Sequence, residues 1–292
     1  MKTLVSQSGS QPRIVDAPDA APSAGEVVIT VEAAAVNPAD LMVASGAARN
    51  VFQLPESVGI GWDVAGLIAA TGDGVTDFEI GDRVAAMHDN MAAAARSHAD
   101  RVVVPAASVA HVPADLKTEE AATVPLNALT AQQALRLLGR SEGRRLLVTG
   151  AAGGVGGYAI ALAAADGWQV DGLARESDRA FVESTGAQLV TSAGPEPYDA
   201  ILDAASLGDI AALRDGGDYL SLVGDTSERG RGIRALAVGV HADGAALTDL
   251  LARSATGELR PRVAATYPFE DHAAAYADTA RPGSRGRVLL LP

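Results

Sequence analysis

The stretch Leu146–Ala163, "LLVTGAAGGVGGYAIALA", restricts the possible folds more than any other part of the chain. An apolar run stops at Gly150, passes through glycines spaced Gly150-x-x-Gly153-x-x-Gly156, with Gly154 and Gly157 interleaved, and resumes as an alanine-rich helix. A strand that breaks into glycine and opens a helix turns backbone N–H groups, and the positive end of the helix dipole, toward one point. Glycine, lacking Cβ, lets a pyrophosphate reach that backbone. The break therefore reads as a phosphate loop of Gly150, Ala151, Gly153, Gly154, Val155 and Gly156. The bland alternative is that these glycines serve only a tight strand-to-helix turn. The spacing is not the strict G-x-G-x-x-G, so its position carries the argument: it lies at the first crossover of a β-α alternation.

That alternation runs on from Arg145. "RRLLVTG", "WQVDGLA", "AQLVT", "YDAILDA" and "DYLSLVG" read as strands, and "AIALAAADG", "DRAFVESTG" and "DIAALRDGG" as helices. Short connections between such elements predict a parallel sheet covered on both faces. Ahead of it, "EVVITVEAAA" (26–35) has the β-branched texture of a strand, and "VNPADLMVASG" that of a short helix. Asn37 stands at its cap, Pro38 at its first position, and Gly46 can supply a left-handed stop. From Gly61 to Pro113 short apolar strands alternate with Gly-Asp turns, which predicts a mostly β domain. The tail from Pro261 ends in another strand, "RGRVLLLP", placed with that first domain. At 292 residues and 48% hydrophobic, the chain is long enough for two packed cores.

The end of the strand after the glycine break selects the cofactor. An NAD site places Asp or Glu there to bind the ribose hydroxyls. Here the strand ends Leu173-Ala174-Arg175, Arg179 follows, and Asp171 comes too early. Arginine suits a 2′-phosphate, so the expected cofactor is NADPH; otherwise both arginines are plain solvated residues. The short-chain dehydrogenase loop also fits these glycines, but that family needs Tyr-x-x-x-Lys. The residues four beyond Tyr158, Tyr198, Tyr219, Tyr267 and Tyr276 are Leu162, Leu202, Val223, Asp271 and Ala280.

A net charge of −13 argues against nucleic acid and anionic membrane as partners. The absence of cysteine excludes disulfides, thiolate metal ligands and cysteine nucleophiles. "MKTLVSQSGSQPR" has no apolar signal region and no stretch is long enough to span a bilayer, so a cytoplasmic location is expected.

Together these segments resemble the medium-chain dehydrogenase/reductase superfamily, in its zinc-free quinone oxidoreductase-like branch. The resemblance rests on "VNPADLMVASG", "GWDVAG", "GDRVAAM", "PLNALTAQQAL", "TGAAGGVGGYAIALA", "YDAILDAAS" and "GGDYLSLVG". It implies an α/β fold in which a GroES-like, mostly β substrate domain (1–117 and 262–292) joins a doubly wound Rossmann domain (118–261), with the nicotinamide in the cleft. It places Asn37 and Thr130 near the nicotinamide and its ribose, and Asp203, Ala204, Val223 and Gly224 at strand tips beside the cofactor. Asp40 and Asp63 would flank the cleft and orient groups or relay a proton; helix capping or hydrogen bonding within the β domain is the alternative for each. Zinc relatives carry cysteine where this chain has Asp40 and Gly-His-Glu where it has Gly61-Trp62-Asp63. Both ligands are missing, and His88 and His98 are expected to be solvated or in a local hydrogen bond. Without a metal, hydride addition suits an acceptor that spreads the developing charge, a quinone or an α,β-unsaturated carbonyl. An enoyl-thioester reductase, or a non-catalytic NADPH-binding sensor or structural protein, are the alternatives.

Departures from the family are Met42 in place of a frequent tyrosine, which leaves no assigned general acid, and Ala193 in place of a tyrosine that stacks on adenine. The chain is also trimmed in "VTSAGPEPYDA" and after Gly224, so a smaller lid is expected to admit bulky substrates. The resemblance further implies a homodimer through edge strands near "RALAVGVHA".

Overall fold

A computed structural model describes every residue except 9–10 and 195–196, so Pro195 and Glu196 of the trimmed stretch lie outside the described residues. Two compact units emerge: 1–126 with 241–255 and 261–292, and 127–240 with 256–260.

The chain begins with β1 (Lys2–Gln7) and β2 (Arg13–Asp16), then the long β3 (Glu26–Val36), α1 (Pro38–Ala44), α2 (Ala47–Phe52), β4 (Ser57–Gly59), β5 (Asp63–Thr71), β6 (Arg83–Met87), β7 (Arg101–Pro105) and β8 (Val109–His111). Alternation is the cause of the β character: Val27, Ile29 and Val31 point one way from β3 into a core with Val64, Ile68, Val84, Val102 and Val104. Gly46 takes φ 79° after α1, as the sequence requires of a left-handed stop.

After α3 (Thr118–Ala121) and α4 (Pro125–Leu138) the second unit forms β9 (Arg145–Thr149), α5 (Gly154–Ala165), β10 (Gln169–Leu173), α6 (Arg179–Glu183), β11 (Gln188–Val190), β12 (Tyr198–Asp203), β13 (Leu213–Ser221) and β14 (Arg234–Ala237). Its six strands are all parallel, in the order β11-β10-β9-β12-β13-β14. Counted from β9 this is the doubly wound order 3-2-1-4-5-6, whose direction reverses between β9 and β12. One expectation fails here. "DIAALRDGG" forms no helix; its second half belongs to β13, and the connections from β12 to β13 and from β13 to β14 contain no helix among the described residues. Nine residues with Gly216 at φ 70° cannot close a crossover helix, so the chain steps directly to the next strand.

The chain then completes the first unit with α7 (Gly244–Ala255), β15 (Val263–Pro268), α8 (His272–Thr279) and β16 (Arg287–Leu291). β16 pairs antiparallel with β3 and parallel with β15, closing a seven-stranded sheet, β15-β16-β3-β5-β6-β8 with β7 also on β3. The division differs from residues 117 and 262: α7 packs on β8 and so joins the β unit, as do residues 118–126. No helix among the described residues is long and apolar enough to cross a membrane.

Candidate functional site

The glycine break sits at the switch point. β9 ends at Thr149, and Gly150 turns the chain with φ 60°, a conformation that side chains disfavour. Gly153 N–H closes the turn on Gly150 O at 2.7 Å, and α5 starts one residue later. A Cβ on Gly156 would lie 2.2 Å from Gly150 O, so only glycine lets the first turn of α5 come this close to the strand end. Gly153, Gly154 and Val155 stay partly exposed while Ala151, Ala152 and Gly156 are buried. The first turn of α5 contains no acidic residue, and its dipole favours an anion at this end.

Beneath the loop, Thr149 Oγ1 donates to Asp203 Oδ1 at 2.5 Å and accepts from Ala205 N at 3.0 Å, locking the ends of β9 and β12 together. Asp203 also receives Tyr219 Oη (2.6 Å), Gly208 N (2.8 Å) and Leu207 N (3.1 Å). Burial pulls its pKa up, but the bonds from Thr149, Tyr219, Gly208 and Leu207 outweigh that and hold it below the usual carboxylate range. Its carboxylate is therefore a structural anion. Ala204 follows it, and past the end of β13 Val223 is 66% exposed, with Gly224 at φ 80°.

The two arginines part company. Arg175 is exposed at the end of β10 and makes no ion pair among the described residues. Arg179 is held by Glu176 at 2.6 Å and Glu183 at 2.5 Å, which cancel its charge locally. Arg179, proposed with Arg175 for the cofactor, thus carries two carboxylate partners that Arg175 lacks. Asp171 is taken up by Arg145 (3.1 Å) and Tyr198 Oη (2.7 Å). Ala193, at the adenine-stacking position, is exposed.

In the β unit, Asn37, Asp40 and Asp63 form a buried hydrogen-bonded knot. Asp40 accepts Asn37 N at 2.8 Å and Gly61 N at 3.0 Å. Asp63 accepts the Asn37 side-chain amide at 2.8 Å and Leu126 N, in the first turn of α4, at 2.6 Å. Burial pushes Asp63 up to about 7, against the pull of the bonds from Asn37 and Leu126. Asn37 is thus the N-cap residue, in a capping box with Asp40, and its side-chain amide also donates to Asp63. Thr130, buried on α4, belongs to the other unit, and Met42 is exposed on α1.

Around this knot lies a cluster that the sequence did not single out. Arg96 is completely buried, with its guanidinium 4.5 Å over the Trp62 ring and Nη2 donating to His88 O at 2.7 Å, while Nε and Nη1 have no partner. His88 and His98 are buried, not solvated. His98 Nε2 donates to Ala35 O (3.1 Å), which leaves Nδ1 to accept from Tyr276 Oη (2.8 Å). Burial, then the Arg96 charge, push His88 down to about 4; burial also lowers His98. The polar run Arg96-Ser97-His98 between alanines was the available signal.

A catalytic zinc does not fit these residues. Each oxygen of Asp40 and Asp63 already accepts a protein hydrogen bond, Trp62 stacks under a cation, and among the described residues no three His, Cys, Asp or Glu side chains converge.

Residues 23–114 match the family model of the alcohol dehydrogenase GroES-like domain, and residues 178–290 that of the zinc-binding dehydrogenase domain. With the switch-point order on the page, these matches decide the family. The chain belongs to the medium-chain dehydrogenase/reductase superfamily. Within the superfamily it is 31% identical over 202 residues, 63% of the chain, to a chloroplastic quinone-oxidoreductase homolog of Spinacia oleracea, and the match spans 61% of that protein's length. It is 27% identical to the human mitochondrial NAD(P)H oxidoreductase RTN4IP1 over 91% of this chain and 81% of that protein. The quinone oxidoreductase structure from Coxiella burnetii superposes with a TM-score of 0.86 at 25% identity, covering 100% of this chain and 99% of that one.

Proposed function

We propose that this superfamily member is an NADPH-dependent reductase that transfers hydride to a quinone or an α,β-unsaturated carbonyl without zinc. The observation that carries the reading is the Gly150–Gly156 loop: a helix N-terminus free of acidic side chains, on a turn a Cβ would fill, at the reversal of a parallel sheet. Gly150, Ala151, Gly153, Gly154, Val155 and Gly156 hold the pyrophosphate, Arg175 takes the 2′-phosphate, and Ala204, Val223, Gly224 and Thr130 line the nicotinamide end. Bound NADPH supplies the hydride. Asn37, Asp40 and Asp63 keep their assignment near the reacting carbonyl as positioning groups: their side-chain bonds fix α1 and the start of β5. A conjugated acceptor spreads the charge that hydride brings, so solvent can deliver the proton. The relatives named quinone oxidoreductase and NADPH-dependent alkenal/one oxidoreductase support this substrate class.

The second reading, an enoyl-thioester reductase, is favoured by two other matches. One is the trans-enoyl reductase himH of Aspergillus japonicus, 32% identical over 197 residues; the other is the pikromycin polyketide synthase component PikAII of Streptomyces venezuelae, 38% identical over 151 residues. We assign the protein to the cytoplasm as a homodimer: β14 is an edge strand of its sheet, and its neighbours through His241 are half-buried or exposed.

A panel of naphthoquinone, a cyclic enone and a crotonyl thioester, each with NADPH and NADH, tests the whole reading. Turnover of the first two with NADPH is expected, and Arg175→Ala should lower the NADPH/NADH preference about tenfold or more, whereas Arg179→Ala leaves it nearly unchanged. No turnover of any acceptor refutes the reductase; faster turnover of the thioester selects the second reading; an unaltered preference in Arg175→Ala refutes the phosphate assignment.

A further inference from the structure

The β unit has a cavity of about 1010 Å³, walled by Gln7, Ser8, Gln11 and Pro12, the segment from Leu41 to Asn50 and the helix α8. In a chain of net charge −13, no aspartate or glutamate is among its described lining residues. Arg49 is there instead. Its guanidinium reaches two neutral carbonyls only, Pro55 O and, at 3.5 Å, Ser6 O, and it forms no ion pair among the described residues. Arg49 and His272 are among the lining residues. Gln11 and Asn50 add amides, and Leu41, Ala44 and Ala277 give one side an apolar surface. Tyr276 lines the cavity by its ring, because its hydroxyl is already committed to His98.

We infer that this cavity binds a small organic carboxylate with an apolar body, the carboxylate on Arg49 and the body against α8. A single guanidinium balances one negative charge and matches the planar carboxylate in shape; a phosphate dianion would be left half-compensated. No residue of the Gly150–Gly156 loop is among its described lining residues, and the inference does not depend on the reductase reading.

Calorimetric titration of the whole protein with benzoate, benzamide and inorganic phosphate tests the inference. Benzoate should bind, benzamide should bind about tenfold more weakly or worse, and Arg49→Gln should weaken benzoate about tenfold or more. Ala277→Leu, which keeps Arg49 and narrows the cavity, should also abolish benzoate binding, and it decides the matter if Arg49→Gln fails to fold. No benzoate binding to the unaltered protein, equal binding of benzamide, tighter binding of phosphate, or benzoate binding unchanged by either substitution overturns it. NADPH binding, measured on the same samples, reports on the other site alone.

Discussion

Asp63→Asn isolates the electrostatics of the buried knot. Asp63 has no solvent exposure, and its pKa is pushed up to about 7, chiefly by burial. In the unfolded chain the same carboxyl titrates near 4. Between those values the folded protein holds a proton that the unfolded chain has released, so stability falls as pH rises, by about 1.4 kcal/mol for each unit. The loss begins near the unfolded value and is complete once pH has passed about 7. Below the unfolded value both states are protonated and the shift has no further effect. From pH 5 to 7.5 the two-state titration gives about 2.5 kcal/mol for this one group. Asparagine cannot titrate, and its amide faces a donor, either the Asn37 amide or Leu126 N–H, for a pH-independent cost of about 1–3 kcal/mol. Urea unfolding followed by far-UV circular dichroism, on both proteins from pH 5 to 7.5, should therefore show the variant's deficit shrinking by about 2.5 kcal/mol across that window. A deficit that is constant, or that grows with pH, would mean that the hydrogen bonds to the ionised form outweigh burial, and the reasoning would be refuted.

Gly156→Val places carbon against Gly150 O, where even a Cβ would be at 2.2 Å, so the loop must open. An overpacking cost of about 1–3 kcal/mol is expected as a lower Tm, with NADPH affinity falling about tenfold or more in a fluorescence titration. Arg96→Met replaces a buried cation with unpartnered Nε and Nη1 by an apolar chain of similar length; a gain of about 1–4 kcal/mol in urea stability is expected, and a loss would show that the charge is compensated. Tyr276→Phe leaves His98 Nδ1 buried without its donor and should lower stability by about 1–3 kcal/mol, read in the same urea titration; an unchanged midpoint would sink that assignment.

Local chemistry was legible and non-local chemistry was not. The glycine turn could be read because spacing within seven residues fixes the turn, the close approach at Gly156 and the start of α5 together. Arg179 could have been read too, since Glu176 and Glu183 stand three before it and four after it, the helical spacing that pairs charges. The missing helix after β12 had its sign in Gly216-Gly217, which favours extension over a helix. His98 and Tyr276 had none: they are 178 residues apart, and only the return of the chain into α8 brings them within 2.8 Å. Arg96 over Trp62 is similar, because the sequence shows a polar run but not the ring it covers.

That last cluster bears on the proposal that this chain works without zinc. Loss of Cys and His ligands would ordinarily leave unpaired carboxylates near one another in a dry interior, at several kcal/mol each. Here the substitutions close on themselves. Asp40, at the cysteine position, accepts Asn37 N and Gly61 N; Trp62, at the histidine position, lies flat against Arg96; Asp63 accepts from Asn37 and Leu126. Every carboxylate oxygen of the knot already accepts a hydrogen bond within the protein. On the proposed reading the acceptor delocalises its own charge, so quinones and enones fit it better than simple ketones.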